Sequence, residues 1–167
     1  MLLSALAALV LMSAFFSGSE TGLMALNRYR LRHLAREGKR GAILAESLLR
    51  QPDRLIGLIL LGNNLVNNLA VSLATVVAIR LVGEVGLAVA PLVLTPLILI
   101  FGEVAPKTLG AVHPERIAFP AAYVLTPLGK LLNPFVWVLN RFSNGVLRIF
   151  GINISERGEE SMSREEL

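Results

Sequence analysis

The stretch LIGLILLGNNLVNNLAVSLATVVAI, residues 55–79, carries no charged residue from end to end and is bracketed by Arg54 and Arg80. At 1.5 Å per residue a helix of that length crosses the ~30 Å hydrocarbon core of a bilayer. Positions 1–19 and 85–102 are equally free of charge, whereas Arg28 to Arg54 and Glu156 to Glu166 are dense with it. Segregation on that scale is what a bilayer imposes. Composition agrees: 54% of the 167 residues are hydrophobic and 17% charged, and a mean hydropathy of +0.63 is more than a soluble core can use. The expected fold class is an all-α integral membrane protein crossing the bilayer more than once.

Working outward from residues 55–79, Gly83-Glu84 is a turn too short for a domain. The next apolar run, about 85–112 with Pro91, Pro96 and Pro106, should fold back as the second arm of an antiparallel hairpin. Upstream, a first span of about 2–26 is broken late by Ser17–Thr21. Met1 is followed by Leu-Leu without a basic n-region, and the apolar run outlasts a signal-peptide h-region, so it reads as a mature span. The basic cluster Arg28, Arg30, Arg32, Arg36, Lys39 and Arg40 places that end in the cytoplasm and the N-terminus outside. Lys107, His113 and Arg116 return the chain to the cytoplasm after the third span.

Apolar residues recur between Arg28 and Arg50 with Gly38 and Gly41 between them, which predicts two short amphipathic helices on the membrane surface (28–50). Asp53 is the expected N-cap of the second span. Residues 119–150 are apolar but interrupted by Pro120, Pro127, Lys130, Pro134 and Arg141. A fourth span is one reading. Interrupted run lengths favour a pair of interfacial helices, with Tyr123 and Trp137 at headgroup level and Lys130 snorkelling. Residues 1–154 are thus expected to form a transmembrane domain. Residues 155–167, turning acidic with a capping box at Ser163 and Glu166, read as the start of a truncated cytoplasmic region.

The chain has no cysteine, which excludes a disulfide scaffold, a thiolate metal site and a cysteine nucleophile. A pI near 10.1 reflects basic residues beside apolar spans, where they meet anionic headgroups, rather than a nucleic-acid partner. No Ser/His, paired-Asp or HExxH arrangement is present, so no enzyme is expected.

Polar residues at bilayer depth are the informative ones, because an unsatisfied polar group in hydrocarbon costs several kcal/mol. Ser13 and Ser17 lie four apart on one face of the first span. Asn63, Asn64, Asn67 and Asn68 fall within two turns of the second, with Asn63 above Asn67 and Asn64 above Asn68. Glu103 on the third is the sharpest feature, since an intramembrane acid costs about 2.5–3.5 kcal/mol on insertion scales and marks a pathway or site. Pro106 has no N–H to offer the Gly102 carbonyl four residues back. Hydroxyls, amide oxygens, one carboxylate and a backbone carbonyl are hard donors of the kind Mg²⁺, Na⁺ and Ca²⁺ prefer. Plainer readings stand beside this one: serines at a helix contact, asparagines as interhelical glue, and Glu103 paired with Lys107 at i+4.

Three motifs, FFSGSETGLMAL (15–26), LGNNLVN (61–67) and FGEVAPK (101–107), together resemble the transmembrane module of the CorC/CNNM magnesium transporters. The resemblance implies a homodimer of three-span subunits in the cell membrane, exporting Mg²⁺ against inward Na⁺. It also implies cystathionine-β-synthase domains on the cytoplasmic side. By motif position it puts the metal ligands on Ser13, Ser17, Asn67 and Glu103, with carbonyls near Gly62 and Gly102. Asn63, Asn64, Asn68 and Lys107 are left as outer or Na⁺-linked candidates. A different class of function stays open, a membrane anchor and dimerisation module for a regulatory cytoplasmic domain.

Overall fold

The fold is that of a computed structural model, which describes residues 1–149; the expected cytoplasmic start at 155–167 lies outside them. Every regular element among the described residues is helical: α1 (Leu2–Met24), α2 (Arg28–Arg36), α3 (Arg40–Leu49), α4 (Pro52–Val82), a 3-10 turn (Gly83–Val85), α5 (Gly86–Leu97), a π-helical segment (Ile98–Val104), α6 (Ala105–Val112) and α7 (Pro114–Ile149).

Local chemistry sets the breaks. The Asn27 side chain accepts from the Arg30 N–H at 3.1 Å and caps α2. Gly38, at φ +84°, closes that helix, with Gly38 N–H on the Ala35 carbonyl and Lys39 N–H on that of Leu34. The two short helices expected over 28–50 are therefore present. Asp53 is not the cap of α4, however. Pro52 takes the first helical position, where its missing N–H costs nothing, and Asp53 sits in the first turn beside the positive end of the helix dipole. The helix also runs past Arg80 to Val82 before Gly83 turns the chain at φ +70°.

Beyond that turn α5, the π segment and α6 run back along α4. A Cβ on Gly86 would fall 2.5 Å from the Ala78 carbonyl carbon, and Ala70, Ala74, Leu94 and Ile98 pack as one cluster. Helix α1 lies across both arms of this hairpin. Its Gly18 and Gly22 meet Gly110 so closely that a Cβ there would stand 2.6 Å from the Gly18 carbonyl oxygen, the small-residue approach by which membrane helices gain contact.

The second arm was expected to be a span carrying Pro91, Pro96 and Pro106, with the ladder broken at Pro106. It widens at Ile98–Val104, where the Ala105 N–H reaches the carbonyl of Ile100, five residues back. Pro106 supplies the reason. Lacking an N–H, it can serve neither the carbonyl four residues back nor the one five back, and a π turn absorbs that break within a continuous helix.

The largest correction is α7, a single helix where a pair was expected. Pro120, Pro127 and Pro134 are seven apart and so fall on one side, and all three are exposed. The bonds they forfeit lie on the outer face alone. The inner face, with Ala118, Ala121, Ala122 and Leu125, is buried without interruption against α1, α3 and α4.

That inner face joins Leu23, Leu31, Leu34, Leu49, Leu55 and Leu58 in the main core, at the end of the molecule where α2 and α3 sit. Elsewhere the apolar surface turns outward: Leu11, Leu65, Leu92 and Phe101 are more than half exposed. Helix α1 and the helical run Pro52–Val112 are long and apolar enough to cross a membrane. Only 28% of the most apolar window of each is buried, which is not how the core helix of a soluble protein packs.

Candidate cation site

The polar residues of three separate elements meet where α1 crosses the hairpin. On α1, Ser13 and Ser17 are both fully buried, at 0% exposure. The Ser13 hydroxyl donates to Asn63 Oδ1 of α4 at 3.1 Å, and the Ser17 hydroxyl donates to the backbone carbonyl of Glu103 at 3.3 Å. From α4, Asn67 Nδ2 donates to Glu103 Oε1 at 3.5 Å, near the outer limit of a hydrogen bond. Gly102 completes the approach: a Cβ there would stand 3.0 Å from Ser13 Oγ.

With its nitrogen on the carboxylate, Asn67 presents its oxygen to the interior, where Oδ1 is buried with no hydrogen-bond partner. An orphaned buried acceptor costs about 1–3 kcal/mol, and a cation is one group that would satisfy it. Each serine hydroxyl spends its proton on a neighbour and keeps its lone pairs. The cluster therefore offers two hydroxyl oxygens, an amide oxygen and a carboxylate. No three His, Cys, Asp or Glu gather among the described residues; the charged member of this cluster is Glu103.

The remaining candidates separate. Asn63 belongs to the cluster as the partner of Ser13, whereas Asn64 and Asn68 are exposed on the outer side of α4. Gly62 lies under the ring of Phe16, where a Cβ would come within 2.5 Å of the ring carbons; that contact sets the rotation of α4 against α1. Lys107 does not pair with Glu103. It faces Glu20 of α1 at 3.9 Å, with both side chains partly exposed, a pair worth little. Ser19 is buried but bonds back to the Phe15 carbonyl within its own helix, so it is spoken for.

Sequence reasoning missed Phe16, and it named Asn63 as an outer candidate without its partner. Phe16 was visible only as an apolar residue between the two serines. The Asn63–Ser13 bond was hidden because one face of α4 carries Asn63 and Asn67 and the adjacent face carries Asn64 and Asn68, with nothing in the spacing to say which turns inward.

The chain as a whole resembles known proteins. The family model described as "Cyclin M transmembrane N-terminal domain" matches residues 4–167. The "UPF0053 inner membrane protein YfjD" of Escherichia coli (strain K12) is 53% identical over 155 residues, covering 93% of this chain and 36% of the relative. A "UPF0053 protein" of Haemophilus influenzae is 45% identical over 158 residues, covering 95% and 37%. The Arabidopsis thaliana "DUF21 domain-containing protein At1g55930, chloroplastic" is 31% identical over 162 residues, covering 97% and 24%. The chain spans little more than a third of the length of the two bacterial relatives.

Proposed function

This chain belongs to the cyclin M transmembrane family and is a membrane domain, and from that premise we propose that it carries Mg²⁺ across the bilayer, exporting it against inward Na⁺. The observation that carries the reading is the convergence of Ser13, Ser17, Asn67 and Glu103 from three elements, with the Asn67 oxygen left orphaned inside it. One carboxylate among neutral oxygens suits an ion that must bind and then leave. An uncharged pocket would hold Mg²⁺ too weakly, and three carboxylates too tightly.

In this reading α1, α4 and the α5–π–α6 arm each cross the bilayer, with the N-terminus outside and the Arg28–Arg40 cluster in the cytoplasm. The exposed Asn64 and Asn68 favour a homodimer in which the outer side of α4 meets a second copy, because amides facing lipid would go unsatisfied. Carbonyls near Gly62 and Gly102 are further donors. The ion itself is the substrate, stripped of most of its water on the way through.

Mg²⁺ efflux from loaded proteoliposomes tests this directly. Glu103→Ala and Asn67→Ala should each abolish it, and unchanged flux in both variants would dispose of the site. A second reading, a membrane anchor and dimerisation module, is favoured by the small share of the relatives' length that the chain covers. It predicts no cation-dependent stabilisation and tolerance of alanine at all four positions.

A further inference from the structure

A second polar constellation lies away from the cation cluster, at the start of α4. A cavity of about 320 Å³ opens between α3, α4 and α7, lined among others by Gln51, Arg54, Leu55, Leu58, Lys130 and Asn133. A neighbouring one of about 490 Å³ shares Gln51, Arg54 and Asn133 and adds Arg50, Asp53 and Trp137. We infer that this paired cavity holds the headgroup of an anionic glycerophospholipid, its phosphodiester set between Arg54 and Lys130.

Four features support that occupant. Arg54 and Lys130 have no carboxylate within ion-pair distance among the described residues, so two cations face the cavity uncompensated. Gln51 Oε1 accepts from one Arg54 guanidinium nitrogen at 2.8 Å, fixing the side chain while the rest of its N–H fork stays available. Asn133 Oδ1 is buried without a partner, an acceptor for the hydroxyl or ammonium that phospholipid headgroups carry. The floor is apolar, with Leu55 and Leu58 at 2% and 3% exposure, which suits a glycerol ester and is wasted on a free inorganic ion.

Electrostatics favours a singly charged ligand. Arg54, Lys130 and Arg50 contribute positive charge, but Arg50 leans toward Glu46 at 3.9 Å, and Asp53 stands on the rim of the neighbouring cavity. A phosphodiester monoanion meets two available cations without forcing a second negative charge against Asp53. The same end of the molecule carries Arg28, Arg30, Arg32, Arg36 and Arg40, so anionic lipid is concentrated there before it enters the cavity.

Trp137 is the chain's single tryptophan and lines the second cavity, which makes it a built-in reporter. The protein in mixed micelles is titrated with brominated-chain phosphatidylglycerol or brominated-chain phosphatidylcholine, and quenching of Trp137 gives their relative affinities. Phosphatidylglycerol should be preferred, and Lys130→Gln should cut the preference about fivefold, as should Arg54→Gln, on the usual worth of one basic residue at a membrane surface. Arg80→Gln, at the other end of α4, should leave it unchanged. Unaltered quenching of Lys130→Gln by phosphatidylcholine certifies the fold, since that side chain is exposed. Equal quenching by both lipids in the unmodified protein overturns the inference, as does an equal loss in Arg80→Gln. If millimolar inorganic phosphate removes the preference and shifts Trp137 emission without lipid, the lipid assignment falls and the cavity is a phosphate site.

Discussion

Replacing Glu103 with glutamine separates the cation reading from a structural one by the sign of its effect. The side chain's hydrogen-bond partner among the described residues is Asn67 Nδ2 at 3.5 Å, and a glutamine oxygen can go on accepting that long bond. Little packing is lost, because the two side chains have nearly the same shape. What changes is the charge. A carboxylate at bilayer depth costs about 2.5–3.5 kcal/mol, so without a cation the variant should unfold at the same temperature as the unmodified protein or a higher one. With Mg²⁺ the order should reverse. Unit charges 4 Å apart attract by about 4 kcal/mol at an effective dielectric of 20, and a divalent ion doubles that. Dehydration of the ion takes back much of it. A residual loss of about 100-fold in affinity, near 2.8 kcal/mol, would remove the Mg²⁺-dependent rise in melting temperature that mass action otherwise produces. Thermal unfolding in detergent across a Mg²⁺ titration measures both halves. A variant that Mg²⁺ stabilises as strongly as the unmodified protein, or one already destabilised in chelator, sinks the assignment.

Gly102→Ala should weaken the Mg²⁺ response about tenfold while moving the chelated protein's stability by no more than about 1 kcal/mol. The new methyl lies 3.0 Å from Ser13 Oγ and 3.4 Å from Ile98 Cγ2, so the hydroxyl must give way by a few tenths of an ångström; isothermal titration against the unmodified protein checks it. Lys107→Gln should leave Mg²⁺ affinity intact and cost at most about 1 kcal/mol, since its partner is the partly exposed Glu20; a large loss of affinity would return it to the site. Gly41→Ala should do the reverse, lowering stability by about 1–3 kcal/mol with no change in Mg²⁺ affinity. Its Cβ would fall 2.8 Å from Phe119 Cβ, where α3 packs on α7, and chemical denaturation with and without Mg²⁺ distinguishes the two effects.

Much of this site was legible because helical periodicity is a local property. Ser13 with Ser17, and Asn63 with Asn67, share a face by spacing alone, and uncharged runs at 1–19, 55–79 and 85–102 announced long apolar helices. Three things were not legible. Rotation of α4 about its axis decides whether Asn63 and Asn67 or Asn64 and Asn68 turn inward, and it depends on the Phe16 ring seating on Gly62, a contact between residues distant in sequence. The continuity of α7 was hidden because proline counts as a breaker one residue at a time. Its effect there depends on all three prolines sharing the outward side.

The third concerns Glu103 and Lys107, whose pairing at i+4 was one of the plainer readings the spacing left open. Four residues apart on a helix, they can share a face. Spacing alone therefore permits the pair, and the partners that α1 and α4 bring to this arm decide against it. Lys107 faces Glu20 of α1, the Glu103 carboxylate accepts from Asn67 of α4, and the Glu103 backbone carbonyl accepts from Ser17 of α1. Paired with Lys107, that carboxylate would be neutralised and of little use to a passing ion. The packing of α1 and α4 against this arm, rather than spacing along it, thus leaves the Glu103 carboxylate with no cation within ion-pair distance among the described residues, as the proposed cation reading requires.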